Sequence, residues 1–124
     1  MPVLPAPPAH THELPGTRFT SLATPSRGTA ETCVWTVEMA PGTLATPHEL
    51  TREEVFVVLA GTADVTIGDD HAEAGPGDAI VVPPGVPFAL QPAAGSALRA
   101  LCVLPVGGQA TLGNGSSFTP PWSL

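Results

Sequence analysis

The chain contains no lysine and no tyrosine, and only 12% of its residues are charged. Its basic side chains are four arginines, Arg18, Arg27, Arg52 and Arg99, scattered along 124 residues. Eleven acids bring the formal net charge to −7. A nucleic-acid partner needs a basic footprint to neutralise phosphates, and none exists here, so that class is excluded. Binding to an anionic membrane surface is excluded for the same reason. No apolar run reaches the roughly 18 residues of a membrane span. The opening "MPVLPAPPAHTHELPG" lacks both a basic start and an apolar h-region, so it does not read as a signal peptide. The expected compartment is the cytoplasm. There the two cysteines, Cys33 and Cys102, are expected to be reduced thiols rather than a disulfide.

What the chain has in quantity is 16 prolines and 13 glycines, beside an apolar content of 43%. That apolar content supports one packed core, and the length suits one domain. So many breakers leave little room for long helices and favour short strands joined by tight turns. Residues 1–14 are proline-rich and read as an extended arm carrying His10 and His12, with a folded domain over 15–124. In "ETCVWTVEMAPG" the residues Cys33, Trp35, Val37 and Met39 share one face and Thr32, Val34, Thr36 and Glu38 the other. Period two with one apolar face predicts a half-buried strand. "TADVTIGDDHAEAGPGD" predicts a hairpin turning at Gly68-Asp69-Asp70. "AIVVPPGVPFALQP" predicts two strands around a proline-glycine turn, and "SALRALCVLPVGG" one more. The tail "SSFTPPWSL" is too rich in proline for a helix, and its Phe118 and Trp122 are expected to pack on the body.

The stretch "PGTLATPHELTREEVFVVLAG", residues 41–61, pulls two ways. Thr51 and Glu54 have the spacing of a helix capping box. The run that follows is β-branched and aromatic and stops at Gly61 after six apolar residues. A short apolar run closed by glycine favours a buried strand, and this is the reading adopted. Eight or more strands with almost no helix predict an all-β domain that must close a barrel or stack two sheets to protect its edges.

The same stretch carries a spacing. Gly42 is followed by five residues and then His48; Leu50, Glu54 and Gly61 follow at fixed intervals. This resembles the first motif of the cupins, G-x5-H-x-H-x3-E-x6-G, with Leu50 in place of its second histidine. A second cupin motif, G-x5-P-x-G-x2-H-x3-N, is matched at Gly77, Pro83 and Gly85, with Phe88 where its histidine belongs and Pro92 where its asparagine belongs. The resemblance covers roughly residues 28–105. It implies a jelly-roll β-barrel in a single domain, similar to small bacterial cupins, and commonly a homodimer. It does not imply one function, because cupins serve many chemistries.

The residues themselves narrow the choice. Strand alternation turns His48 and Leu50 inward together, with Glu54, Phe56 and Val58 on the next strand and Phe88 and Leu90 on theirs. The expected pocket is lined by Trp35, Met39, Leu50, Phe56, Val58, Phe88, Leu90 and Cys102, with His48 and Glu54 as its polar groups. Such a pocket suits a small apolar or aromatic ligand held by a few polar contacts. The first expectation is a small-molecule-binding protein that needs no cofactor and no fully ligated metal; two enzymatic readings of His48 and Glu54 stand as alternatives. As catalytic groups they would move a proton on the ligand without a cofactor, in an isomerase or cyclase. As metal ligands, in a dioxygenase-like enzyme, they would bind a divalent ion such as Fe, Zn, Ni or Mn, but they supply two donors where a catalytic site usually takes three. A third donor would have to be His10, His12 or Cys102. Arg52 could meet an anionic ligand at the barrel mouth or be a solvated loop charge, and His71 is expected to be exposed.

Overall fold

The computed structural model describes residues 3–124, so the first two residues of the expected arm lie outside it. Twelve strands follow one another: β1 (His12–Leu14), β2 (Thr17–Ala23), β3 (Thr32–Met39), β4 (His48–Leu50), β5 (Glu54–Gly61), β6 (Ala63–Ile67), β7 (Asp70–Ala74), β8 (Ala79–Val82), β9 (Phe88–Pro92), β10 (Leu98–Pro105), β11 (Ala110–Leu112) and β12 (Ser117–Phe118). They form two six-stranded sheets, in the orders β1-β2-β3-β10-β5-β8 and β12-β11-β4-β9-β6-β7. Every described pairing is antiparallel. The architecture is the expected all-β jelly roll. Among the described residues, the helical pieces are 3-10 turns at Pro25–Arg27 and Pro121–Ser123.

Alternation explains how the sheets face each other. Along β5, Glu54, Phe56 and Val58 are buried while Val55 and Val57 are half-buried on the opposite face. Along β10 the buried set is Leu98, Ala100, Cys102 and Leu104. The inward side chains of both sheets make one core, which includes Trp35, Val37, Val65, Val82 and Leu90. Thr36 belongs to the outward face, as expected, yet it is only 5% exposed. Its strand is central, and Thr20 on β2 and Leu101 on β10 flank it in register.

The expected arm ends inside the fold. Its last residues, His12–Leu14, are strand β1, paired with Thr17–Phe19 of β2. The sheet therefore begins at His12 rather than after residue 14, because His12, Glu13 and Leu14 keep backbone donors that proline would have removed. The two strands around the proline-glycine turn also part company. β8 pairs with β5 in the first sheet and β9 with β4 and β6 in the second. Residues 83–87 thus carry the chain from one sheet to the other, and the Gly85 N–H donates to the Leu50 carbonyl at 2.9 Å.

The four motif glycines, Gly42, Gly61, Gly77 and Gly85, all have φ between +74° and +90°. L-residues avoid that region. Gly61 is the most constrained, since a Cβ there would lie 1.8 Å from the Ala97 carbonyl oxygen.

Strand β5 has a neighbour on each side, with Val57 opposite Leu101 of β10 and Ala79 of β8. Proline at this position removes a ladder donor and clashes with the pairing strands. Val57→Pro is expected to leave the chain unfolded by circular dichroism; a cooperative melt would show that β5 is not interior to its sheet.

Candidate functional site

Between the two sheets lies a cavity of about 400 Å³. That volume falls in the range of small-molecule sites. Nearly all of its lining is apolar. Trp35, Val37 and Met39 enter from β3, Leu50 from β4, Phe56 from β5, Phe88 and Leu90 from β9, and Cys102 from β10. Three polar side chains expected at the site, His48, Glu54 and Cys102, share this lining.

Glu54 is the first residue of β5 and points inward with Phe56. It is 5% exposed. Among the described residues, no side-chain hydrogen bond or ion pair reaches its carboxyl. Burial without a partner disfavours the ionised form, and it pushes the Glu54 acid up to about 8. At neutral pH the group is therefore mostly a neutral carboxylic acid, a donor as well as an acceptor. Cys102 lies on the adjacent strand, opposite Phe56. Burial first, and the charge of Glu54 second, push its thiol well above the ordinary value. A nucleophilic thiolate is accordingly disfavoured, and Cys102 is a buried thiol wall. Cys33 and Cys102 are both free.

His48 is held differently. Its Nδ1–H donates to the Thr46 carbonyl at 2.9 Å. This fixes the ring and leaves Nε2 as the acceptor of the neutral form. The ring lies against Phe88, centroids 4.5 Å apart and planes tilted by 55°. Phe88 is the residue directly opposite His48 across the β4–β9 pairing. His48 and Glu54 line one cavity, and among the described residues no hydrogen bond joins them, so they are two separately placed groups.

Of the expected residues, Trp35, Met39, Leu50, Phe56, Phe88, Leu90 and Cys102 face this cavity and Val58 lies elsewhere. It is 1% exposed and sealed in the core opposite Ala100, where Ala63, Val65 and Leu98 fill the barrel. Two of the lining residues outside the expected set form an aromatic pair. Phe19, an inward residue of β2, and Trp122, from the tail, stack with centroids 3.6 Å apart and planes 5° from parallel. Alternation around Phe19 was a usable signal. Nothing local in the tail could place Trp122 on it.

The donor set is a poor match to a metal. Among the described residues no three His, Cys, Asp or Glu side chains come together as a metal-ligating group. Leu50 and Phe88, which line the cavity beside His48, offer no donor atoms. His10 pairs with Glu13 at 3.3 Å and the His12 ring meets the Thr11 hydroxyl at 2.9 Å; neither lines the cavity. Arg52 is exposed and also outside the lining, and His71 is bonded to Asp64 on the β6–β7 hairpin. His48 and Glu54 thus remain two donors without a third, short of what a catalytic ion usually takes from its protein.

The high-pH ionisation of Glu54 has a stability consequence. Between its ordinary value of 4.5 and about 8, the folded chain holds a proton that the unfolded chain releases. Stability therefore falls as pH rises through this window, by on the order of 5 kcal/mol in total. Glu54→Gln keeps the shape and cannot ionise. The variant is expected to gain on the parent steadily from pH 5.5 to 8 in urea unfolding. A constant difference across that range would show that Glu54 is not a buried high-pH acid.

No curated protein matches the chain by sequence. Solved structures do. The polyketide cyclase RemF from Streptomyces resistomycificus is 28% identical with a TM-score of 0.68, over 73% of this chain and 65% of the cyclase. This chain therefore spans just under two thirds of the cyclase's length. KdgF from Halomonas sp. is 21% identical with a TM-score of 0.67, over 78% of this chain and 86% of that one. The DMSP lyase DddQ from Ruegeria pomeroyi DSS-3 is 24% identical with a TM-score of 0.63, over 71% and 46%. The last two likenesses are of fold. A sequence model, that of the cupin domain, matches residues 35–104. That span runs from Trp35 on β3 to Leu104 on β10 and holds the strands bearing His48, Glu54, Phe88 and Cys102, so this chain belongs to the cupin family.

Proposed function

We propose that this chain is a small-molecule cupin that takes up a neutral, largely apolar ring compound and hydrogen-bonds one of its oxygens with the Glu54 carboxyl. The observation that carries this reading is Glu54 itself, 5% exposed, without a partner, and facing an apolar cavity of about 400 Å³. A buried polar group without a partner costs stability unless a ligand supplies one. A neutral acid donates to a carbonyl or hydroxyl oxygen. An anionic ligand is disfavoured, because no arginine lines the cavity and the chain carries a net charge of −7. Aromatic walls from Trp35, Phe56 and Phe88 favour flat rings over branched aliphatics.

A second reading makes the same site an enzyme, of isomerase or cyclase type. Glu54 would give a proton to a carbonyl oxygen, and the Nε2 of His48 would take one from the ligand. An acid with a pKa of about 8 is near the value that suits proton transfer at neutral pH. The likeness to a polyketide cyclase supports this reading.

The proposal includes a homodimer. The outer face of the first sheet shows Val34, Val55, Val57, Val81, Leu101 and Val103 on four adjacent strands, without a charge among them. The four strands that carry this patch hold 28 residues, which at ~4.8 Å spacing and ~3.3 Å rise make a face of about 450 Å². It would form the apolar centre of a standard interface, which takes about 800 Å² from each partner. An uncharged patch is complementary to itself, as a two-fold interface requires. Sedimentation velocity is expected to find a dimer for the parent and a folded monomer for Val81→Glu, at an outward position that is 51% exposed. A monomeric parent would remove the dimer from the proposal.

Both tryptophans, Trp35 and Trp122, line the cavity, so their fluorescence reads its occupancy. The ketone 2-acetylnaphthalene is expected to quench it, and 2-naphthoate to bind far more weakly. Glu54→Leu should weaken the ketone by about tenfold, the worth of one buried hydrogen bond. A ketone that binds no better than the carboxylate would sink the reading.

A further inference from the structure

Strand β1 pairs with β2 only at Thr17–Phe19, so the second half of β2 has a strand neighbour on its β3 side alone. The C-terminal tail packs against β2 and β3 there. The chain leaves the second sheet at β12, the edge strand of its order, and crosses to the first sheet. There the Ser21 hydroxyl donates to the Trp122 carbonyl at 2.7 Å. The Cys33 thiol donates to the Ser123 carbonyl at 3.2 Å, and the Ser26 N–H to a Leu124 oxygen at 3.1 Å. The Pro121–Ser123 turn aims the indole of Trp122 inward between these anchors. It lies flat on Phe19, 3.6 Å from centroid to centroid, and both rings face the cavity.

That distance is the thickness of one aromatic layer. The indole thus occupies the place where a flat ligand ring would stack on Phe19. Phe19 is fixed in β2 and 7% exposed, whereas Trp122 is attached through the tail alone.

We propose that Trp122 is the specificity-determining wall of the cavity: a ring supplied by the chain that fills the stacking slot on Phe19 and limits ligands to small ring systems. The inference rests on the ligand reading above and deepens it. Removing the indole should free a slot one ring thick, roofed by Phe19, without disturbing β10 and β5, which hold Cys102 and Glu54 two and three strands away in the same sheet. The cavity would then admit extended polycyclic ketones that the parent excludes.

The test compares two ketones that offer Glu54 the same acetyl oxygen, 2-acetylnaphthalene with two rings and 1-acetylpyrene with four. Their affinities are measured for the parent, Trp122→Ala and Trp122→Phe by quenching of Trp35. In Trp122→Ala the preference for acetylpyrene over acetylnaphthalene should rise at least tenfold. Trp122→Phe keeps a ring on Phe19 and should keep the parent's preference. Cys33 lies under the tail and reports on its attachment. It should stay unreactive to a thiol reagent in both variants, which separates an opened slot from a detached tail. If Trp122→Ala fails to fold, Trp122→Leu takes its place with the same expected rise. An unchanged preference, an equal loss of both ketones, or a rise accompanied by full exposure of Cys33 overturns the role of Trp122. Failure of every protein to bind either ketone overturns the ligand reading and this inference with it.

Discussion

Everything at this site follows from one constraint: two sheets, each apolar on one face, must bury those faces against each other, and the side chains between them do not fill the space. Packing is complete at the end of the barrel where Val58, Ala63, Val65 and Ala100 meet. Toward β4 it is incomplete, and a cavity of about 400 Å³ is left among aromatic walls. Water and charge are both poorly tolerated in such a volume. The electrostatics of the site are consequences of that wall chemistry rather than of a network of charges.

Glu54 shows what the cavity does to a charged group. A carboxyl in the first position of a strand would ordinarily be ionised and solvated. Here the strand's alternation turns it inward, and desolvation raises it to about 8. Its charge, when present, then adds to the burial that keeps Cys102 a thiol. His48 is held by other contacts, its Nδ1 by the Thr46 carbonyl and its ring by Phe88. A fold selected only for stability would place a leucine at position 54. A buried acid that weakens the fold as pH rises through neutrality is the cost that the proposed hydrogen bond to a ligand would offset.

The cavity wall at β2 is shared between strands and tail. Antiparallel ladders account for both sheets, yet the second half of β2 has packed against it a proline-rich segment held through three hydrogen bonds and one aromatic stack. A stacked pair of this kind contributes about 0.5–1.5 kcal/mol beyond its buried area.

Local chemistry was legible in the sequence wherever one residue's neighbours decide its fate. Period-two alternation placed Trp35, Glu54, Phe56, Phe88 and Leu90 on inward faces, because a strand's side chains point up and down whatever it pairs with. The motif glycines marked turns because only a residue without Cβ enters the left-handed region cheaply. The spacings from Gly42 to Gly61 and from Gly77 to Pro92 marked the family. Tertiary structure alone decided the rest. Val58 faces inward, as read, but whether an inward residue meets a cavity or a packed core depends on what the opposite sheet brings. β1 emerged from the supposed arm because β2 offered it an edge. His48 turned to Thr46 rather than to Glu54 because a loop carbonyl stood within hydrogen-bond reach. Trp122 reached Phe19 across 103 positions of sequence, a contact no local pattern encodes, because it exists only once the tail has packed against β2.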